Sequence, residues 1–235
     1  MTRSITIVIP TYNERANLEA IITELKHRLP DCHVVVVDDN SPDGTGELAD
    51  QLAQCFSGIS VIHRASKDGI GPAYIAGFTR ALASATDLIG AMDADGSHAP
   101  DDLIRMIDAT KDADLVIGSR YVPGGATVGW SRSRRVLSRF GGLYARLILG
   151  APIADPTSGF KIYRREALQQ VPLDQIRSDG YGFQIETAWY LWKTGLRVRE
   201  IPITFHDRVA GKSKLSRRIV FEAMFMVWRL RLSKF

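Results

Sequence analysis

Four consecutive valines, Val34 to Val37, constrain this chain more than any other stretch. Branching at Cβ favours an extended backbone, and successive side chains of a strand point to opposite faces. A strand that is apolar on both faces must be covered on both, the condition of an inner strand in a parallel sheet flanked by helices. The same texture recurs at Ser4–Pro10, Ile59–His63, Asp87–Ala91 and Leu115–Ser119. Between these runs lie helical patterns: Leu18, Ile21, Ile22 and Leu25 on one face, then Gly46–Cys55, Pro72–Ser84 and Asp101–Thr110. Strand and helix alternating through short connections predict a single wound α/β domain with a mostly parallel central sheet. With 235 residues, the chain can bury a sizeable core.

The fourth run breaks off into Asp93-Ala94-Asp95-Gly96-Ser97-His98. Past a strand's end the chain need not alternate faces, so two carboxylates spaced i and i+2 can turn toward one point. Hard oxygen donors of this kind suit Mg2+ or Mn2+, which keeps several waters and completes its shell on substrate phosphates. A plain polar turn is spelled the same way, so the neighbours must decide. Asp112-Ala113-Asp114 is a decoy, because it precedes the run Leu115–Ile117; ligands of open α/β sheets sit beyond the carboxyl ends of the strands. The first two strands end at that favoured edge. One supplies Pro10, Tyr12, Asn13 and Glu14, the other Val37, Asp38 and Asp39. A nucleotide can lie across it, with Asp38 or Asp39 accepting from base or ribose and Tyr12 packed on a ring. Gly69-Ile70-Gly71 lacks the third glycine of a dinucleotide-binding turn and does not follow the first strand, which excludes a nicotinamide cofactor. That loop reads as the start of a helix.

Net charge is +4 and the pI about 9.1, with basic residues crowded into the second half. Such asymmetry suits a phosphate-bearing ligand or an anionic membrane surface. No recognisable nucleic-acid-binding module appears, so nucleic acid is not an expected partner. Cys32 and Cys55 have no metal-ligand spacing and read as plain thiols of a reducing compartment. Met1-Thr2-Arg3-Ser4 leads straight into a strand with no sign of a signal peptide. No run approaches the roughly 18 to 20 apolar residues that span a bilayer.

After Arg120 the texture changes. Tyr121–Gly129 reads as a Gly-rich loop, and a basic amphipathic helix follows, with Val136, Leu137, Phe140, Leu143, Tyr144, Leu147 and Ile148 as its apolar residues. A turn at Asp155–Gly159 precedes a strand at Phe160–Tyr163, a helix over Phe183–Lys193 and a last strand at Arg197–Phe205. In the tail, Phe221, Met224, Phe225, Trp228, Leu232 and Phe235 recur at three- and four-residue steps, opposite Arg218, Glu222 and Arg229. Apolar stripes fit a core; aromatic residues among arginines also fit a helix lying in lipid headgroups. The chain therefore divides into a domain at 1–214 and an amphipathic, membrane-associating helix at 215–235. Segments 132–150 and 215–235 are expected to dock the protein peripherally on the cytoplasmic face of a membrane.

Several of these segments together resemble a known family. Ile9-Pro10-Thr11-Tyr12-Asn13-Glu14, Val37-Asp38-Asp39-Asn40-Ser41-Pro42-Asp43-Gly44-Thr45 and Met92-Asp93-Ala94-Asp95 resemble the family 2 glycosyltransferases of the GT-A fold. Gly118-Ser119-Arg120-Tyr121, Trp130 with Arg134 and Ser138, and Asp155-Pro156-Thr157-Ser158-Gly159-Phe160-Lys161 resemble the dolichol-phosphate (polyprenyl-phosphate) mannose synthases within it. The likeness runs in order through about Lys214; the motifs are specific jointly and weak singly. It implies a GT-A, Rossmann-like domain with amphipathic surface helices, and inverting transfer of mannose from GDP-mannose to a polyprenyl or dolichyl phosphate. It implies Mg2+ or Mn2+ on Asp93 and Asp95, with Ser97 or a water in the place where some relatives carry an amide; His98 is the weaker substitute. Pro10, Tyr12, Glu14, Val37, Asp38, Asp39 and Ala94 would line the donor pocket, with Arg208 and Lys214 from a basic loop that also holds Lys212. Arg120, Arg134 and Ser138 would hold the acceptor's phosphate. An integral-membrane anchoring partner is compatible with the pattern. Gly142 stands where relatives often carry Asn, so helix packing there is expected to differ.

Physical chemistry leads to the same needs. An attacking alcohol must lose a proton to a general base, whereas a phosphate monoester, with a second pKa near 6, is already ionised at neutral pH. The site must instead hold two anions face to face, which takes a metal on one and arginines on the other. Alternative readings stay open at this stage. Arg120 also fits a solvated charge or a structural ion pair, Arg134 a solvated face, Glu186 either a sugar- or arginine-orienting group or a plain helix start, and the Arg208, Lys212 and Lys214 segment a flexible, solvated loop. UDP-glucose is the alternative donor, and a non-catalytic nucleotide-sugar-binding membrane adaptor the alternative role. A processive polysaccharide synthase is disfavoured, since no Gln-x-x-Arg-Trp motif occurs.

Overall fold

The valine run forms β2 (His33–Asp38), buried on both faces between two neighbouring strands. The computed structural model describes residues 3–207 and 217–232, the side chains of 217–224 excepted. Before β2 come β1 (Ile5–Thr11) and α1 (Arg15–Arg28); after it come α2 (Thr45–Cys55), β3 (Ile59–His63), α3 (Ile70–Leu82), β4 (Leu88–Ala91), α4 (Pro100–Ala109) and β5 (Leu115–Ser119). The second half adds β6 (Ala126–Val128), α5 (Arg132–Leu149), β7 (Lys161–Arg164), α6 (Arg165–Leu168), α7 (Tyr181–Lys193), β8 (Val198–Pro202), β9 (Thr204–His206) and α8 (Arg217–Leu232).

Seven strands make the main sheet in the order β3-β2-β1-β4-β7-β5-β8. All run parallel except β7, which lies antiparallel between β4 and β5. Apolar clusters cover both faces. One draws on Leu18, Ile22, Leu103 and Met106 of α1 and α4, the other on Tyr74, Phe78, Phe183 and Leu230 of α3, α7 and α8. Helix α3 sits close to the sheet because Gly77 carries no side chain: a Cβ there would lie 2.2 Å from Val8 Cγ1.

Register fixes the working edge. Asp38 pairs with Thr11 and Ala91 with Val8, so Asp93 leaves β4 at the level where β1 delivers Pro10. Because β7 runs the other way, it delivers its first residue, Lys161, to the same edge, opposite Ala91 and Ile117. The decoy lies at the far edge, where Asp114 accepts from the Arg197 backbone N–H (2.9 Å) and from its guanidinium (2.9 and 3.1 Å).

Two expectations need correction. Tyr121–Gly129 is not all loop, because Ala126–Val128 pairs with Thr204–His206 in a small parallel sheet. The last strand is not continuous to Phe205: β8 stays beside β5 through Pro202, and past Ile203 the chain leaves the main sheet as β9. That departure carries Phe205 over the working edge.

Candidate active site

The acidic corner is held by its neighbours on every side. Asp93, 28% exposed at its side chain, accepts through Oδ1 from the hydroxyl of buried Tyr74 on α3 (3.1 Å). Burial, then the Asp93 charge, raises the Tyr74 pKa well above its ordinary value, so this group stays a donor. The Asp93 backbone N–H donates to His98 Nδ1 (3.1 Å), leaving the ring hydrogen on Nε2, which lies 4.0 Å from Asp93 Oδ2. Burial also lowers the His98 pKa. Its ring stacks on Phe160 at 4.6 Å between centroids. Behind the carboxylate stands Gly159, where a Cβ would lie 3.3 Å from both Asp93 oxygens.

Asp95 is buried, and its Oδ1 accepts from the Ser97 backbone N–H (3.1 Å). Ser97 is fully buried, and its hydroxyl has no hydrogen-bonding partner among the described residues. An orphaned oxygen beside two carboxylates matches the all-oxygen shell of Mg2+ or Mn2+, with water and a diphosphate to complete it. No three His, Cys, Asp or Glu side chains among the described residues form a metal cluster by themselves. His98 Nδ1, by contrast, already accepts from the Asp93 backbone N–H.

At the ends of β1 and β2, Asp38 is buried and accepts from Thr11 Oγ1 (3.0 Å), Ser41 Oγ (2.6 Å) and the Ser41 N–H (3.0 Å). Asp39 pairs with Arg64 Nη1 at 2.6 Å; burial raises its pKa, against the pull of that guanidinium. Lys67 Nζ lies 3.8 Å over the Tyr12 ring, and Glu14 Oε2 accepts from Asn17 (2.9 Å). Pro10 is half-buried, and Val37 and Ala94 are buried. The structure thus brings these residues to one edge, with Arg64 and Lys67 added from the segment after β3.

The basic side is built around Trp130. Arg134 lies 4.1 Å from its ring centroid and pairs with Asp207 at 2.7 Å. Arg120 lies 5.4 Å from the same ring but is buried, its Nε and Nη2 bound to Asp155 (2.7 and 2.6 Å) and Nη2 also to Thr157 (2.8 Å). The ion-pair alternative for Arg120 therefore holds in this structure. Its Nη1 makes no hydrogen bond to the described residues. Burial disfavours the Arg120 charge, yet Asp155 more than offsets this and raises its pKa. Ser138 accepts from the Tyr121 hydroxyl (2.6 Å). Gly142 is buried against this turn, its missing Cβ 3.4 Å from the Ala154 carbonyl oxygen. Arg208, Lys212 and Lys214 lie outside the described residues.

One side chain joins the two halves. Phe205 meets His98 edge-on at 5.6 Å between centroids, and the Arg120 guanidinium lies 5.3 Å from the Phe205 ring centre. The acidic corner and the arginines thus share one neighbourhood. Several of its members escape sequence reading: Tyr74 looks like any core aromatic on α3, and Asp207 and Arg64 carry no motif of their own. Asp155 and Lys161 lie inside a recognisable motif, but the motif does not say what they bind.

Comparison with known proteins identifies the family and the fold. Residues 6–171 match the glycosyl transferase family 2 domain. The chain is 48% identical over 234 residues to polyprenol monophosphomannose synthase of Mycolicibacterium smegmatis, covering 98% of this chain and 88% of that one. It is 47% identical to undecaprenyl-phosphate mannosyltransferase of Micrococcus luteus (94% and 91% covered) and 36% identical to dolichol-phosphate mannosyltransferase of Pyrococcus furiosus (96% and 63%). Glucosyl-3-phosphoglycerate synthase from Mycobacterium tuberculosis, solved with Mn2+, UDP and glucosyl-3-phosphoglycerate, superposes with a TM-score of 0.70 at 21% identity (97% and 80% covered). The fold is the GT-A fold, and the chain belongs to glycosyltransferase family 2.

Proposed function

We propose that this enzyme transfers mannose from GDP-mannose to a polyprenyl monophosphate, with inversion at the anomeric carbon, while lying on a membrane surface. The names of relatives at 47 and 48% identity support mannose as the sugar and a polyprenyl phosphate as the acceptor. The observation that supports the reading is Phe205, which touches both His98 of the acidic corner and the Arg120 guanidinium of the basic side, so that the two charged regions adjoin.

In this reading a phosphate oxygen of the acceptor attacks the anomeric carbon as the bond from that carbon to the donor diphosphate breaks, and GDP leaves with the electron pair. The acceptor arrives ionised, so no side chain need remove a proton. Arg134, over Trp130, meets the incoming phosphate and gives up Asp207 to do so; Arg120 Nη1 and the Tyr121–Ser138 hydroxyl pair complete the cradle. Asp38, Asp39 and Tyr12 line the nucleotide side, and Arg208 and Lys214 are assigned to the diphosphate. Asp93, Asp95 and Ser97 would hold a divalent cation, which would supply positive charge to the leaving diphosphate.

The outer surface supports the membrane part. Helix α5 exposes Val136, Leu137, Phe140, Leu143 and Leu147 and buries Gly142, Ala145 and Leu149 on its other side. Helix α8, in contact with α5, exposes Phe225, Trp228 and Leu232 and buries Met226, Val227 and Leu230. No helix among the described residues is long and apolar enough to cross a membrane. A helix pair with one apolar face in the protein and another outward, flanked by arginines, suits a position among lipid headgroups. The 215–235 segment is accordingly assigned as membrane-associating.

The test is transfer of radiolabel from GDP-mannose to a short polyprenyl phosphate with Mg2+ or Mn2+, run beside UDP-glucose. Transfer from GDP-mannose is expected, and Asp95→Ala should abolish it with an unchanged circular dichroism spectrum. Preference for UDP-glucose would reject the donor, and undiminished turnover by Asp95→Ala would reject the cation site.

A further inference from the structure

Residues 150–160 join α5 to β7 without regular structure, so their backbone N–H groups must find other acceptors. Two successive ones are met from outside the segment. Glu200, half-buried on β8 at the edge of the main sheet, accepts the Ala154 N–H through Oε2 (2.6 Å) and the Asp155 N–H through Oε1 (2.8 Å). A carboxylate accepts at both oxygens without presenting a donor, which suits two adjacent N–H groups. Farther along, the Ser158 hydroxyl donates to the Gly118 carbonyl oxygen (2.7 Å), so β8 and β5 hold the two ends of the turn. What lies between supports the basic side of the site. Asp155 and Thr157 bind Arg120, and Gly142 of α5 rests against the Ala154 carbonyl.

We infer that Glu200 is a positioning residue for the acceptor's phosphate, acting through the turn at 154–157 without touching the substrate. Arg120 Nε and Nη2 are matched to the two oxygens of Asp155, a fork that makes the plane of the guanidinium follow the plane of the carboxylate. The direction of Nη1, the nitrogen assigned to the phosphate, is therefore set by the turn. Glu200 fixes that turn at the residue carrying the carboxylate. Helix α5 leans on the residue before it and carries Arg134 and Ser138, so the second arm of the cradle is referred to the same clamp. The cation corner is held separately, by Tyr74 and His98. Glu200 thus governs the fit of the acceptor and leaves the donor's side alone. The inference rests on the acceptor side of the proposed function and adds the residue that sets its geometry.

The experiment is steady-state transfer by the whole protein, with GDP-mannose and a short polyprenyl phosphate varied in turn. Glu200→Gln keeps the size of the side chain but turns an NH2 toward one of the two N–H groups. It should raise the polyprenyl phosphate KM by about tenfold, the net effect of one charged hydrogen bond misplaced, and leave the GDP-mannose KM unchanged. Arg197→Gln is the control for mere loosening of β8: it cuts the side-chain bonds that tie the residue before that strand to Asp114 at the far edge, and both KM values should stay as they are. An unchanged acceptor KM in Glu200→Gln, a GDP-mannose KM that rises with it, or an equal rise in Arg197→Gln overturns the role of Glu200 and leaves the proposed reaction standing. No transfer by the unaltered protein overturns both. Should Glu200→Gln fail to fold, Glu200→Asp, which keeps the charge but falls one methylene short, takes its place with the same expected rise and the same overturning results.

Discussion

Replacing Asp155 by Asn keeps the side chain's shape and removes the charge beneath Arg120. Asp155 is fully buried and Arg120 5% exposed, and they share two side-chain hydrogen bonds of 2.7 and 2.6 Å. Oδ2 also accepts the Arg120 backbone N–H at 3.0 Å. An amide can keep one acceptor but turns its NH2 toward a group that only donates. Arginine does not deprotonate in proteins, so the variant carries a buried, uncompensated cation. Breaking a buried pair in this way costs about 3–5 kcal/mol, a large part of the roughly 5–15 kcal/mol that holds a domain folded. At about 2–4 °C per kcal/mol for a domain of this size, the melting temperature should fall by about 6–20 °C. Urea unfolding followed by circular dichroism gives the figure from the shift in midpoint, provided the slope is unchanged. Arg120→Met combined with Asp155→Asn removes the stranded charge and should recover most of the loss. A loss under about 1 kcal/mol for Asp155→Asn, or a double variant no more stable than the single, would refute the reasoning.

Three further outcomes follow from the same neighbourhood. Lys161 Nζ, fully buried, has Gln184 O (2.6 Å) and Oε1 (2.8 Å) as acceptors, and burial draws its pKa down to about 7 despite Asp155 and Asp93. The unfolded chain then binds the extra proton between about pH 7 and 10.5, so Lys161 makes stability rise with pH across that window; urea midpoints of Lys161→Met and the unaltered protein that run parallel there would contradict this. Tyr74→Phe removes the donor to Asp93 and should raise the Mn2+ concentration for half-maximal activity by about 10- to 100-fold, with an unchanged half-maximum counting against the role. Asp207→Asn removes the competitor for Arg134 and should lower the acceptor KM while leaving the GDP-mannose KM unchanged; a raised acceptor KM would reject Arg134 as the phosphate's partner.

The working edge was legible because its signals are local. Unbroken β-branched runs name the inner strands, and the acids that follow Val37 and Met92 can only lie where those strands stop. Direction is less local. Phe160–Tyr163 spells a strand whichever way it runs, and its antiparallel insertion between β4 and β5 depends on the path taken by the forty residues before it, by a rough count. Pairing is the least legible. Arg120 and Asp155 both stand in motifs, yet charge pattern alone does not tell a guanidinium awaiting a ligand from one already bound. Tyr74 shows the same limit, since its ring fits the apolar stripe of α3 and only the fold reveals where the hydroxyl ends.

That Arg120 and Arg134 are both engaged bears on what the site can accept. Arg120 has a buried partner and keeps it; Arg134 has Asp207, 41% exposed at its side chain and reached by solvent. A neutral sugar hydroxyl offers no charge with which to displace that carboxylate. A phosphate monoester carries about −1.5 to −2 at neutral pH with three strong acceptor oxygens, and it competes where a hydroxyl does not. In the proposed function the Asp207 contact would screen acceptors by charge before chemistry begins, and the charge that wins the exchange would be the one that frees the site from needing a base.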